Sequence, residues 1–197
     1  MMYKRWMAAG AALLMLAGCV GREAPPVTYY VLEVPQVTKA AYSPYKTKVV
    51  KVAFPESLRE SISDRMLYSY SAQDRGSYLN SRWANNLGKM LQGVLIETLE
   101  RSGAFKAVLP YSSTATEDVR IEPFIYDISH HIRGDRSVAV VSVEISVIDT
   151  YTGKLIKTRR FRYEEPTPTV DARGYVTATN RILKRFSRDV LRFLGVR

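Results

Sequence analysis

The chain has 197 residues, of which 46% are hydrophobic and 24% are charged. This length suits one domain, and the composition excludes a disordered chain, because it provides enough apolar residues for a proper core. The single cysteine excludes an intrachain disulfide framework, so stability must come from that core. The 29 basic and 19 acidic residues give a net charge of +10, which indicates either an anionic partner or a solvated basic surface.

The first 18 residues have the pattern of a secretory signal peptide. Lys4 and Arg5 form a positive start, and the apolar run "WMAAGAALLMLAG" of about 13 residues follows them. A membrane-spanning helix needs about 20 residues, so this run is short for a permanent span. A short transmembrane anchor is therefore the weaker alternative.

The cysteine lies directly after this run, in Leu16-Ala17-Gly18-Cys19, which resembles the bacterial lipobox. The resemblance implies that the Cys19 thiol carries a diacylglycerol and that cleavage removes residues 1–18. A fatty acid such as palmitate would then acylate the new amino terminus. Each buried CH₂ contributes about 0.8 kcal/mol to membrane binding, so several acyl chains hold a protein stably on a membrane. No other cofactor is expected.

Lipoprotein sorting implies where the protein resides. Val20 follows the cysteine where Asp often marks retention in the inner membrane, so we expect the outer membrane and its periplasmic face. Residues 19–26 would be a lipidated tether, and residues 27–197 a single domain. Nucleic acid is not a normal partner in this compartment, which leaves anionic head groups, an acidic protein or a merely solvated surface.

The first half of this domain is predicted as three strands and a helix. The strands are rich in β-branched and aromatic residues and cover 27–34, 46–54 and, more weakly, 65–72. The helix is expected to start at Asn80 or Ser81 and to end at Gly103. Its apolar face repeats at spacings of three and four residues. That face comprises Trp83, Leu87, Met90, Leu91, Val94, Leu95 and Leu99.

The second half is predicted as four strands and a terminal helix. The strands are 105–110, 118–128, 136–149 and 155–163, and the helix is 172–194. Pro123 indicates a bulge or an edge position, and "TYTGK" joins the last two strands as a hairpin. The apolar stripe of the helix comprises Val176, Ile182, Phe186, Val190 and Phe193. The order β-β-β-α-β-β-β-β-α predicts an α+β two-layer sandwich, with a mixed or antiparallel sheet and two amphipathic helices.

The sequence contains no motif typical of an enzyme. It has no glycine-rich phosphate loop, Walker motif or dinucleotide fingerprint. His130 and His131 are adjacent, and neighbouring residues of a strand point to opposite faces, so the two cannot readily chelate one metal. Ser112 and Ser113 lack a nucleophile elbow. We therefore predict a protein that is not an enzyme, with no catalytic residue and no metal site.

The basic run 154–162 is the candidate partner-binding site. Lys154, Arg160 and Arg162 are predicted on one face of the strand, with Lys157 and Arg159 on the other. A strand that is basic on both faces is not expected to be buried on either. It is interpreted as an edge strand protected against aggregation or, alternatively, as a docking surface.

Two further features allow a binding or a structural interpretation. Trp83 would anchor a partner if exposed, but its register with the apolar helix face favours the core. The terminal helix carries a basic polar face that could contact lipid head groups, although core packing adequately explains its apolar face. That basic face comprises Arg181, Lys184, Arg185, Arg188 and Arg192.

Several segments together resemble the ABC-type transport auxiliary lipoprotein family, the PqiC-like family. They are "YYVLEVP", "VVKVAFPESL" followed by "RMLYSYSA", and "YLNSRWANNLGKMLQGVLIETLERSGAFKAV". The matching residues are Tyr29, Tyr30, Leu32, Val52, Pro55, Trp83, Ala84, Gly103, Phe105 and Val108. The resemblance covers most of residues 27–197, with the C-terminal third matching by pattern more than by motif.

The resemblance implies a non-catalytic outer-membrane component of an envelope lipid transport system. Such systems combine an inner-membrane permease with a periplasmic mammalian-cell-entry (MCE) protein that bridges the envelope. The lipoprotein would dock the outer end of that bridge, with phospholipid or another hydrophobic molecule as cargo, and a homo-oligomer is compatible with this role. The alternative is an assembly lipoprotein for an outer-membrane protein or a lipopolysaccharide conduit.

Overall fold

The computed structural model describes residues 25–57 and 63–197, so Cys19 and the signal peptide lie outside the described residues. Within these ranges the order of elements is β-β-β-β-β-α-β-β-β-β-α. The strands are β1 Thr28–Tyr30, β2 Val49–Val52, β3 Glu56–Ser57, β4 Arg65–Ser69, β5 Gly76–Trp83, β6 Ala107–Pro110, β7 Val119–Arg133, β8 Arg136–Asp149 and β9 Leu155–Pro166. The helices are α1 Leu87–Ser102 and α2 Ala172–Phe193.

The strands form one open, mixed sheet that is organised around β7. One edge of β7 pairs antiparallel with β8, which in turn pairs antiparallel with β9. The other edge pairs in parallel with β2, β3 and β4 in succession along its length. The sheet continues from β2 to β6, and from β4 through β5 to β1. In the described part of the chain, β9, β6 and β1 are therefore edge strands.

The two longest strands show how side-chain alternation places the core. In β8 the alternating residues Ala139, Val141, Val143, Ile145 and Val147 are all buried, as the sequence predicts. In β7 the register shifts at a bulge between Ile125 and Asp127, and this lets Ile125 and Ile128 both face inward. The predicted bulge is therefore present in β7, three residues after Pro123 rather than at it.

Helix α1 begins later than the sequence suggests. The side chain of Asn86 accepts a hydrogen bond from the Lys89 N–H at 3.2 Å, and Gly103 ends the helix with φ 61° as predicted. A start at Asn80 or Ser81 is wrong, because residues 76–83 pair as β5 with both β4 and β1. Trp83 ends β5 rather than opening the helix.

Trp83 nevertheless belongs to the core, as predicted. Its side chain is 1% exposed, and its ring packs edge-on against Tyr175 of α2 with the centroids 5.6 Å apart. The main chain of Trp83 is fixed as well, because its N–H donates to the Asp64 carbonyl at 2.8 Å. The residue thus connects the β1–β5 end of the sheet to the start of α2.

Helix α2 covers the sheet at β8 and β9 and confirms the α+β two-layer architecture. Asp171 caps it by accepting a hydrogen bond from the Gly174 N–H at 2.7 Å. Its buried face includes Ile182, Phe186 and Val190, three members of the predicted stripe. Among the residues described, no helix is both long and apolar enough to cross a membrane.

Candidate docking surface

Strand β9 is an edge strand, as the basic run predicts, but one of its two faces is buried. Phe161 is 3% exposed, and its ring lies 5.6 Å from that of Phe186 on α2. The Tyr163 hydroxyl donates to the carboxylate of Asp189 at 2.8 Å. The expectation that β9 is buried on neither face is therefore wrong, because aromatic residues between the basic ones hold that face against α2.

Two cations of the basic run lie on this inner face. The Lys157 ammonium donates to the Phe193 carbonyl at 2.6 Å, and burial lowers the pKa of Lys157. The guanidinium carbon of Arg159 lies 5.0 Å from the ring centroid of Phe161. Lys157 caps the C-terminal end of α2, so its role is structural.

Arg160 lies on the outer face of β9, and contacts to two other strands fix its orientation. Its Nε donates to the Ser142 hydroxyl of β8 at 3.0 Å. Its guanidinium carbon lies 3.7 Å from the ring centroid of Tyr126, which stands at the bulge of β7. A cation–π contact at this distance is worth about 0.5–1 kcal/mol at an exposed site. Arg160 is therefore exposed but held in one direction.

The other two predicted site residues are placed differently. Arg162 shares the outer face and forms an ion pair with Glu164, with both side chains about half exposed. Lys154 precedes β9 in the hairpin turn, where its carbonyl accepts a hydrogen bond from the Asp149 N–H. Lys154 lies six residue steps before Arg160, about 20 Å along an extended chain. The structure thus brings Arg160 and Arg162 together and leaves Lys154 at the far end.

The surface around Arg160 is of mixed charge. Glu144 lies directly across from Arg160 in the β8–β9 register, and Glu164 is paired with Arg162. The patch therefore presents cations with defined partners rather than a uniformly basic field. The sequence alone does not predict that Tyr126 and Ser142 orient Arg160, because these contacts depend on the pairing of β7, β8 and β9.

A polar cluster on the same outer face has the composition of a catalytic triad but not its geometry. The Nε2 atom of His131 lies 3.2 Å from Asp127 and 3.1 Å from Ser129, so one ring nitrogen contacts both groups. A triad needs the two groups on opposite ring nitrogens. Burial alone would raise the pKa of Asp127, but hydrogen bonds from His131 and Ser129 and the charge of Arg75 lower it.

His130 faces the opposite side of the sheet, as the adjacency argument predicts. It is fully buried, its ring stacks on Tyr175 at 5.3 Å, and its Nδ1 shares a hydrogen bond of 2.7 Å with the Tyr78 hydroxyl. Burial lowers the pKa of His130 to about 4, so it is neutral at physiological pH. Over residues 25–57 and 63–197, no group of three potential metal ligands occurs.

Two solved structures share this architecture and define its class, an α+β sandwich domain. Protein XCC0632 from Xanthomonas campestris aligns with a TM-score of 0.75 and 19% identity, over 83% of this chain and 92% of its own. PelC from Paraburkholderia phytofirmans, a dodecamer, aligns with a TM-score of 0.52 and 13% identity, over 81% of this chain and 96% of its own. At these identities the likeness is one of fold.

The family follows from the sequence itself. The model of the ABC-type transport auxiliary lipoprotein component matches residues 30–191, so the chain belongs to this family. The resemblance carried by the Tyr29–Tyr30 and Trp83–Ala84 segments is thereby confirmed. No curated protein matches the sequence significantly.

Proposed function

We propose that the protein is a non-catalytic docking component of an envelope lipid transport system, and that an MCE-type periplasmic protein binds it at β9. Membership in a family of auxiliary transport lipoproteins supports the general role. The observation that carries the docking proposal is β9, an edge strand whose outer face presents Arg160 in a fixed direction.

The edge of β9 offers two kinds of interaction to such a partner. Among the described residues β9 pairs only with β8, so the backbone groups of its other edge can accept a further strand. Arg160 reaches the opposite way, across β8 to Tyr126, and can bind a carboxylate on the outer face of the sheet. Because Tyr126 and Ser142 already orient Arg160, binding would order fewer side chains and lose less entropy. Exposed charges of this kind act mainly on the association rate, and salt weakens their effect.

The same proposal places the protein on the periplasmic face of the outer membrane through lipidated Cys19. The lipobox-like residues 16–19 and the lipoprotein family support it. Val27 lies eight residue steps after Cys19, and a chain of that length spans at most about 29 Å. Val27, where the domain formed by residues 27–197 begins, would therefore remain within that distance of the lipid surface.

Surface plasmon resonance tests the docking site directly. The full lipoprotein in neutral detergent is passed over the periplasmic part of an MCE-type protein from the same organism at two salt concentrations. The Arg160→Glu/Arg162→Glu variant should bind more slowly, most of all at low salt. A control with the same charge change, Arg173→Glu/Lys106→Glu, should behave like the wild type, because both residues are exposed and lie outside β9.

The possible outcomes test the docking function and the position of the contact surface separately. If the wild-type protein does not bind the MCE protein at either salt concentration, the docking function is wrong. If it binds and the β9 variant is unchanged, docking stands but β9 is not the contact surface.

Self-association belongs to the same proposal. PelC, which shares the fold, is a dodecamer, and a ring of copies would provide a docking platform for a periplasmic bridge. Light scattering of the full lipoprotein in detergent should then give a protein mass that is a multiple of the single chain. A monomer at all concentrations would contradict this part of the proposal.

A further inference from the structure

A groove of about 600 Å³ lies between residues 36–40 and the C-terminal half of α2. Five cations line it, and they come from three separate parts of the chain. They are Lys39, Lys184, Arg188, Arg192 and Arg197. Leu191 and Val196, both nearly buried, contribute apolar surface between them. Sequence reasoning identified the basic face of the helix but not its convergence with Lys39 and Arg197.

The wall opposite α2 is held in place at three points. The Glu33 N–H donates to the Asn180 side chain at 3.0 Å, and the Ala40 N–H donates to the Ser102 carbonyl at 2.8 Å. The backbones of Tyr42 and Arg197 exchange two hydrogen bonds of 2.9 and 3.0 Å. Hydrogen bonds thus fix residues 36–40 relative to α2, and the groove has an ordered wall on each side.

The charge of the groove is one-sided, unlike that of the rest of α2. Arg181 and Arg185 pair with Glu165 at 3.7 and 2.8 Å. No carboxylate side chain lines the groove, and Lys39, Lys184 and Arg188 form no ion pair with any described residue. Arg192 is the exception among the cations of α2 that line the groove, because it pairs with Asp189 at 3.7 Å, and its side chain remains 70% exposed. Clustered cations between low-dielectric walls attract anions strongly.

Helix-terminus electrostatics do not account for this arrangement. Cations are favoured within the last turn of a helix, which explains Arg192. Lys184 lies nine residues before the end of α2, however, and Lys39 comes from another segment. Their convergence therefore indicates an external anion.

The spacing of the cations indicates which kind of anion fits. Lys184, Arg188 and Arg192 are separated by four residues each, so they form a row with steps of about 6 Å. Side chains on one face of an extended chain repeat every two residues, or about 6.6 Å. An extended segment with an acidic residue at every second position thus matches all three cations, whereas a single phosphate head group reaches only one or two.

The position of the groove also favours a protein over the lipid surface. Strand β1 begins at Thr28 and ends at Tyr30, which pairs with Trp83, and Trp83 packs on Tyr175 near the beginning of α2. Lys184 lies nine residues after Tyr175, about 14 Å along the helix axis, and Arg192 lies seventeen residues after Tyr175, about 26 Å along that axis. The groove is therefore displaced from the end of the domain where the tether enters.

We propose that this groove binds an extended acidic segment of a protein partner, with alternate carboxylates over Lys184, Arg188 and Arg192. This proposal rests on the proposed docking function in one respect, which is that the partner is the periplasmic bridge protein. Binding at the groove and binding at β9 are separate contacts.

A peptide assay tests the groove without the MCE protein. The probe is a fluorescein-labelled peptide of four Glu-Thr repeats, and its control has four glutamates followed by four threonines, with equal composition and charge. Fluorescence anisotropy is measured at low salt with the full lipoprotein in neutral detergent. The alternating peptide should bind at least several-fold more tightly than the block peptide, and added salt should weaken its binding.

Charge reversal locates the binding site. Lys184→Glu/Arg188→Glu should weaken binding of the alternating peptide about tenfold or more, and the Gln double variant should weaken it less. The matched control Arg173→Glu/Lys106→Glu should bind within about twofold of the wild type. All these side chains are exposed, so circular dichroism should show the native fold in each variant.

Three results would overturn the inference. Equal binding of the two peptides would show that alternate spacing of the carboxylates does not matter. Unchanged binding by the reversal variant would show that the peptide does not bind at Lys184 and Arg188. Binding of fluorescently labelled short-chain phosphatidylglycerol, weakened in the reversal variant, without any peptide binding would make a lipid head group the ligand. Because the assay contains no MCE protein, its failure is distinct from failure of the β9 docking function.

Discussion

Acidification should destabilise the protein through His130. The folded state holds this side chain neutral, because burial lowers its pKa from 6.5 to about 4, and the charge of Asp171 opposes the shift only in part. Its ring lies between Tyr175 and Tyr78, and its Nε2 is buried with no hydrogen-bond partner among the described residues. A proton on His130 would thus create a buried charge.

The sign and size of the effect follow from linkage. Below pH 6.5 the unfolded chain binds a proton at His130 that the folded chain does not, so stability falls as the pH falls towards 4. At about 1.4 kcal/mol per pKa unit, the loss is about 2 kcal/mol by pH 5 and about 3 kcal/mol by pH 4. Carboxylates with lowered pKa values, such as Glu117 and Asp127, begin to contribute only as the pH approaches 4.5 and 3.8, their values in the unfolded chain.

Urea unfolding at a series of pH values between 7.5 and 4 measures this loss. His130→Phe keeps a ring that can stack on Tyr175 but cannot titrate, so most of the pH dependence between about 6.5 and 5 should disappear. His131→Gln, the neighbouring change on the opposite face of the sheet, should retain it. Equal slopes for the wild type and His130→Phe would refute the reasoning.

Three further predictions concern the core, the cap of α2 and the anchor. Trp83→Ala should lower the free energy of unfolding by about 3–5 kcal/mol, because the ring is buried, and a loss below about 1 kcal/mol in urea would contradict its core position. Gly174→Ala should lower the melting temperature, because a Cβ would lie 2.0 Å from the Thr169 carbonyl oxygen, whereas Gly93→Ala, with open space around it in α1, should leave it equal or higher. Cys19→Ala should leave an uncleaved and unlipidated precursor, and mass spectrometry that finds an unmodified Cys19 in the wild-type membrane fraction would refute lipidation.

The sequence predicts best those elements whose side chains repeat on one period. Strand β8 alternates strictly, and the structure places it at the predicted residues 136–149. Helix α2 carries one apolar stripe, and its observed bounds differ by one residue from those predicted. The sequence does not predict strand β5, because Trp83 lies in phase with the apolar stripe of α1. The helical spacing therefore continues into residues that form a strand. Only the pairing with β1 and β4 decides that segment.

The candidate surfaces were predictable only in part, because both depend on contacts between distant segments. The basic run of β9 is visible in the sequence, but the division of its cations between two faces depends on Phe161 packing against α2. The orientation of Arg160 depends on Tyr126, which is thirty-four residues away in sequence and two strands away in the sheet. Likewise, the groove joins Lys39 to Lys184, and no local pattern connects these two residues.

Site-specific photo-crosslinking in the native envelope tests the docking function most directly. A photoreactive benzoylphenylalanine replaces Thr158, which is exposed on the outer face of β9, and in a control strain it replaces the exposed Arg173 at the start of α2. Docking at β9 predicts an ultraviolet-dependent adduct between the MCE-type protein and the Thr158 variant, identified by mass spectrometry and absent from the control. Adducts at Thr158 that never contain the MCE-type protein, in cells that express both proteins, would contradict it.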